Sequence, residues 1–207
     1  MNSKPRPKQN SFLPRGYLSA TQIILVNRNP EEYVRRYIYG EESRTSEYME
    51  LGKLVADVFD GKRTDPAAEA IKEFIPKYKK REHGISCQLK QSGEAFILKG
   101  VLDGYNPKTS VQGEYKTSTK RWTPRQVYTN LQLRIYALIH YKNTGAIPQQ
   151  ELTWIGTKFE DGELILSGEF ETHSVQYTLK EMLETEAETW RAFKKIISLV
   201  KHEYDKI

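Results

Sequence analysis

The stretch VLDGYNPKTSVQGEYKTSTKRW, residues 101–122, decides how this chain is read. It begins inside a largely apolar run, AFILKGVLDGY, where the charge of Asp103 is unexpected. It continues into VQGEYKTS, where Glu114 and Lys116 are separated by one residue. Asn106-Pro107-Lys108 between them is a turn signal. Residues i and i+2 of a strand share a face, so Glu114 and Lys116 point the same way and Tyr115 points opposite. Antiparallel pairing across the turn brings the Asp103 carboxylate towards that of Glu114. Two carboxylates at that range repel unless a divalent cation lies between them or one is protonated. Mg²⁺ takes oxygen ligands in an octahedron and keeps several waters, which Asp103, Glu114 and the Tyr115 carbonyl would leave room for. Lys116 would then stand beside a bound water, placed to orient it or to offset charge developing on a phosphate. The plain alternative is a solvated hairpin with a Glu–Lys pair. Gly104 and Gly113, beside the two acids, favour close approach instead.

The segments around this hairpin set its context. TPRQVYTNLQLRIYALIHYKNTG, residues 123–145, is expected to be one helix, capped by Thr123 with Pro124 at its first position and closed by Gly145. Val127, Leu131, Ile135, Leu138 and Ile139 form its apolar stripe. Gln132 and Tyr136, four apart, share a face, and a buried Gln needs a partner that the acid site could supply. Upstream, ISCQLK adds a third consecutive antiparallel strand. Before it come helices after Ser19 and Asn29, with Tyr33, Val34, Tyr37 and Ile38 inward. Another follows over TSEYMELGKLVADVFDGK, with Met49, Leu51, Leu54, Val55, Val58 and Phe59 inward. A further one, DPAAEAIKEFIPKYKK, is kinked or stopped by Pro76. Downstream, QELTWIGTKF and ELILSGEFETHSVQYT read as strands, and the last 29 residues as one amphipathic helix. The order, helices, three-strand meander, helix, strands, helix, describes an α+β or mixed α/β fold with a small sheet covered by helices.

The chain has 207 residues, of which 38% are hydrophobic and 29% charged, enough for one domain with a core. Residues 1–16, with Lys4, Arg6, Lys8 and Arg15 and no acid, are expected to be a basic flexible arm, and 17–207 a single domain. No apolar run approaches the roughly 20 residues of a membrane span, and the basic start lacks the apolar segment of a signal peptide. The lone Cys87 cannot form an internal disulfide or hold an iron–sulfur cluster, which suits a reducing cytoplasm. His83, His140, His173 and His202 are scattered without metal-ligand spacing. The net charge of +5 permits a polyanionic partner. Its basic clusters, KYKKR at Lys77–Arg81 and the residues beside the acid pair, are plainly read as solvated runs.

Taken in order, KGVLDGY, GEYKTS and QLRIYAL resemble the G-x-x-D strand, the D/E-x-K-T strand and the Q-x-x-x-Y helix of the PD-(D/E)xK nuclease superfamily, in its RecB-like and Cas4-like exonuclease branch. YLSATQIILVNRNPEEYVRRYIYG and LGKLVADVF are similar, more loosely, to that branch's N-terminal helices, so the resemblance spans residues 17–141. It implies a restriction-endonuclease-like core with a small mixed sheet in αβββαβ order, an N-terminal helical segment and a long C-terminal helix. It further implies Mg²⁺- or Mn²⁺-dependent hydrolysis of DNA, with Asp103, Glu114 and the Tyr115 carbonyl as metal ligands. Lys116 would position water, and Gln132 and Tyr136 would support the site. Thr117, Ser118, Lys120, Arg121, Trp122 and Arg125 follow as candidates for contact with the nucleic acid, through phosphate donors and, at Trp122, base stacking. Two departures stand out. Counting from Gly52, the branch's histidine falls on Ala56, with Glu50 or Asp57 as substitutes, and the four cluster cysteines of many relatives are missing. A DNA nuclease, for repair, recombination, phage replication or defence, is therefore expected. A catalytically weak or inactive nucleic-acid-binding module on the same fold is the alternative, and a plain protein-interaction domain a third. The partners expected are DNA ends and no membrane, with room for a homo-oligomer or a recombination or replication protein.

Overall fold

The central strand of the sheet has one edge paired along most of its length and the other interrupted, and the interruption positions everything that follows. The computed structural model describes residues 13–42 and 45–206. Strand β1 (Leu18–Ser19) is short, whereas β2 (Lys80–Gln91) and β3 (Glu94–Asn106) form a long antiparallel hairpin. The other edge of β3 is shared. β1 pairs with it in parallel at Leu98 and Lys99, and β4 (Val111–Ser118) pairs antiparallel only at Gly104–Asn106. No strand among the described residues pairs with Gly100–Asp103 on that edge. β4 then pairs in parallel with β5 (Gln149–Glu160), which pairs antiparallel with β6 (Glu163–Gln176). A parallel pair needs a crossover, supplied here by helices.

Each helix starts where a polar side chain can take an orphan N–H. α1 (Ala20–Arg28) is capped by Ser19, and α2 (Pro30–Tyr33) by Asn29, with Pro30 in the first turn. α2 continues as a π-helical turn, Val34–Ile38. That turn rotates the expected apolar stripe, so Tyr33 is buried while Val34, Tyr37 and Ile38 are only half-buried. α3 (Glu47–Phe59) is capped by Ser46 and α4 (Pro66–Lys72) by Asp65; α4 stops before Pro76 is reached. Met49, expected inward, lies in the first turn of α3 and is exposed. The single helix expected over 123–145 is two, α5 (Pro124–Tyr128) and α6 (Leu131–Thr144). α5 closes at Thr129, and Asn130 caps α6, its side chain accepting from the Leu133 N–H at 3.1 Å, the competition with the backbone that short polar side chains offer. Gly145, at φ +75, closes α6. α7 (Leu179–Tyr204) opens with a Thr178–Glu181 capping box.

The helices cover both faces. Phe96, Leu98 and Leu102 of β3 are buried with residues of α1, α6 and α7 on one face, where Phe96 packs its ring on Phe193 and Trp190. Val55, Val58 and Phe59 of α3 and Ala68 and Ile71 of α4 bury Ile155 and Leu166 on the other. This is the mixed α/β layer architecture expected, with the restriction-endonuclease-like order of elements and a long C-terminal helix. The first 12 residues of the expected arm lie outside the described residues. At its end, Leu13 is buried in the larger core cluster. No described helix is long and apolar enough to cross a membrane.

Candidate active site

The unpaired edge at Gly100–Asp103 exposes backbone polar groups that side chains must satisfy. Tyr136 of α6 lies over Gly100, where a Cβ would sit 2.5 Å from the ring, and its hydroxyl hydrogen-bonds the Val101 backbone. This is why position 100 is glycine. At the other end of the gap the Asp103 carboxylate accepts the Tyr115 backbone N–H at 2.8 Å. The β3–β4 register, continued one step beyond the Gly104↔Gly113 pair, sets Asp103 opposite Glu114. The two glycines leave no side chains, and the ring of Tyr78 fills that space. Across β3, Glu82 adopts φ +44 between the Arg81↔Gly104 and His83↔Leu102 pairs, so β2 is kinked opposite Asp103.

Around Glu114 the expected residues converge. Lys116 Nζ donates to Glu114 Oε1 at 2.5 Å and to Gln132 Oε1 at 3.0 Å. Gln132 Nε2 faces both Glu114 Oε1 and the Tyr136 hydroxyl at 2.7 Å. The other oxygen, Glu114 Oε2, is buried and has no hydrogen-bond partner. Burial pushes the Glu114 carboxyl up to about 7, against the pull of Lys116, and Asp103 adds to the rise by repulsion. Burial also raises Asp103, although the Tyr115 N–H, Lys116 and Arg81 counter it. For Lys116, burial disfavours the ammonium, but the charge of Glu114 and its hydrogen bond outweigh this and hold it protonated.

Asp103, Glu114, Tyr115 and Lys116 line a pocket of about 300 Å³ with Thr117, Gly52, Val55, Ala56, Asp60, Arg81 and Glu82. Ala56 thus borders the site, in the place where the resemblance puts an imidazole. The substitutes expected for it do not: Glu50 is exposed in the first turn of α3, and neither it nor Asp57 is among the lining residues. Asp60 is the acid that α3 presents, one turn after Ala56. Its carboxylate is bridged to Arg81 Nε at 3.1 Å and Lys62 Nζ at 3.0 Å. Among the described residues no group of three or more His, Cys, Asp and Glu is arranged to hold a metal, so a cation here would rest on two carboxylates, a carbonyl and water. The bare Glu114 Oε2 and the two raised acids fit such a cation. Of the candidate nucleic-acid contacts, Thr117 reaches the pocket. Ser118 instead donates to the Lys120 carbonyl and accepts from Trp154 Nε1, and Arg121 lies over the Trp154 ring and near Glu171. Trp122 is half-buried against the core, its carbonyl meeting His173, while Lys120 and Arg125 are exposed. A larger groove of about 420 Å³ between α4 and the β5–β6 hairpin holds none of these residues.

Asp60 and Arg81 were not singled out from the sequence. Arg81 sits in the KYKKR run, and the only signal for Asp60 was its four-residue spacing from Ala56. Comparison with solved structures shows that the chain shares its fold with proteins described as exonucleases. One is a protein from Eubacterium rectale provisionally designated an exonuclease, with TM-score 0.61, 14% identity, and 97% of this chain and 88% of that one covered. An alkaline exonuclease from Laribacter hongkongensis has TM-score 0.54 and 14% identity, with 92% and 93% covered, and that enzyme is also known bound to dAMP. A phage-related exonuclease from Haemophilus somnus has TM-score 0.52 and 14% identity, with 96% and 91% covered. No family model matches the sequence, and no curated protein does either.

Proposed function

We propose that this chain is a DNA nuclease of the RecB-like PD-(D/E)xK branch, hydrolysing phosphodiester bonds at DNA ends with Mg²⁺ or Mn²⁺. The observation that carries the proposal is the buried, unpartnered Glu114 Oε2 in one pocket with Asp103 and Lys116. A buried carboxylate oxygen without a donor is costly, and a cation would relieve that cost. Asp103, Glu114 and the Tyr115 carbonyl would hold the ion, which would supply charge stabilisation at the phosphate and a more acidic water. Lys116 uses two of its three donors on Glu114 and Gln132, leaving the third for the attacking water or a phosphate oxygen. Gln132, itself held by Tyr136, fixes the Lys116 and Glu114 heads, so neither need reorganise during the reaction. Thr117 offers a hydroxyl at the pocket wall. The dAMP bound by the Laribacter enzyme is the kind of product that stepwise cleavage from an end releases. An intracellular role in DNA repair, recombination, phage replication or defence goes with such a substrate.

The test is a cleavage time course on end-labelled linear single- and double-stranded DNA and on closed circles, in Mg²⁺ and in Mn²⁺, with Glu114→Ala alongside. Loss of linear DNA alone, in wild type only, is expected. Nicking of circles would make the enzyme an endonuclease. Retained DNA binding without any cleavage would favour the binding module, for which Ala56 at the pocket wall is the motive.

A further inference from the structure

Among the residues lining the pocket, four carry negative charge, Asp60, Glu82, Asp103 and Glu114, and two positive, Lys116 and Arg81. A DNA strand is a polyanion, so a pocket with acids in excess needs a cationic contact for it beyond the lysine that serves the water. Arg81 is built for that contact. Of its five N–H donors, one on Nε goes to Asp60 at 3.1 Å and one on Nη1 to the Tyr115 hydroxyl at 3.1 Å, leaving three free of protein partners. Its guanidinium lies over the Tyr115 ring at 5.0 Å and the Phe59 ring at 5.7 Å. It is therefore clamped in orientation by an acid, a hydroxyl and two rings, yet its side chain keeps 27% of its exposure. The kink at Glu82 follows directly after it and faces Asp103. Its charge also reaches Asp103, whose carboxylate it favours. A planar fork with free donors, fixed before ligand arrives, matches two phosphate oxygens better than an ammonium does.

We propose that Arg81 binds a non-bridging phosphate oxygen pair of the substrate strand and sets which phosphate stands over Asp103 and Glu114. The proposal rests on the nuclease function put forward above. Asp60 is then a positioning residue that aims Arg81.

Replacing one charged phosphate by a neutral methylphosphonate at successive positions of a short single-stranded oligonucleotide tests this. Affinity is measured in EDTA, where no strand is cut. Wild type should lose roughly tenfold at one position, and Arg81→Ala should bind roughly tenfold more weakly while being indifferent to methylphosphonate at that same position. Its salt dependence should fall by about 0.7, the slope of one phosphate contact to a single strand. Asp60→Asn/Arg81→Ala, which also removes the buried carboxylate that Arg81 shares with Lys62, should repeat the pattern and guards against misfolding of the single variant. A purely structural Arg81 would weaken binding equally at every position and leave the methylphosphonate profile intact, which overturns the inference. Wild-type protein that cleaves DNA in Mn²⁺ but shows the same profile with and without Arg81 overturns it as well. Wild-type protein that neither cleaves nor binds overturns the nuclease function itself.

Discussion

Replacing Glu114 by Gln should stabilise the metal-free protein at alkaline pH while destroying its activity. Glu114 is 4% exposed, and burial raises its carboxyl from 4.5 to about 7. The folded state therefore binds a proton more tightly than the unfolded state. Stability linked to this group is present below pH 4.5 and is lost as pH rises towards 7, the reverse of a salt-bridged acid whose value is lowered. Integrating over that window, the linked loss is below about 1 kcal/mol at pH 5 and about 3 kcal/mol at pH 8. Lys116 is held above its ordinary range in the wild type, against its burial, by Glu114. Glu114→Gln removes that charge, so any proton Lys116 gives up in the variant adds to the variant's gain at high pH. Urea unfolding in EDTA at both pH values, for wild type and Glu114→Gln, gives the difference of differences. The variant should gain roughly 2–3 kcal/mol relative to wild type between pH 5 and pH 8. Added Mn²⁺ should then restore wild type at pH 8 and leave the variant unmoved. An equal offset at the two pH values would refute the idea that Glu114 is held in unrelieved burial.

Three further outcomes follow from the same geometry. Asp103→Ala and Glu114→Ala should abolish cleavage together with Mn²⁺ binding measured calorimetrically, whereas Lys116→Ala should abolish cleavage and leave most of the binding; three equally active variants would sink the site. Gly100→Ala places a Cβ 2.5 Å from Tyr136 Cε1, so it should cost about 1–3 kcal/mol in urea unfolding and, by moving Tyr136 off Gln132, also slow cleavage. Asn130→Ala removes the cap that starts α6 and should cost about 1 kcal/mol with cleavage retained, since Gln132 is held by its own partners.

How much of this was legible in the sequence depended on whether the signal was local. The β3–β4 hairpin, the Glu114–Lys116 face and the Gln132–Tyr136 spacing are short-range patterns set by the periods of strand and helix, and the structure brings those residues together. The helix break at Asn130 was hidden because Thr123, Pro124 and Gly145 bracket one unbroken apolar stripe, and a single Asn inside it is tolerated in either form. Leu13 was assigned to the arm because its neighbours are basic, although one leucine suffices to anchor a segment on a core. Exposure of Met49 reflects its place in the first turn of α3, where the apolar period runs past the covered face.

The acids of α3 show the limit most clearly. From sequence, the loss of an imidazole at Ala56 directed attention to the nearest acids along the chain, Glu50 and Asp57. What decides proximity to Asp103 is the helical face that β4 and β2 cover. That face carries Gly52, Ala56 and Asp60 at four-residue intervals, so the spacing was available in the sequence while the identity of the covered face was not. Arg81 was further out of reach. Its neighbours Lys77, Lys79 and Lys80 make it look like one of a solvated run, and only the β2–β3 register places it across from Gly104, beside Tyr115 and within reach of Asp60. Asp60 and Arg81 are 21 residues apart, joined by a contact no local period encodes. An acid on α3 already neutralised by arginine is a poor replacement for a missing metal ligand and a good anchor for a phosphate-binding guanidinium. On the proposed nuclease function, Asp60 would serve substrate binding through Arg81 rather than the cation, which makes the methylphosphonate profile of Arg81→Ala a more incisive experiment than any substitution at position 56.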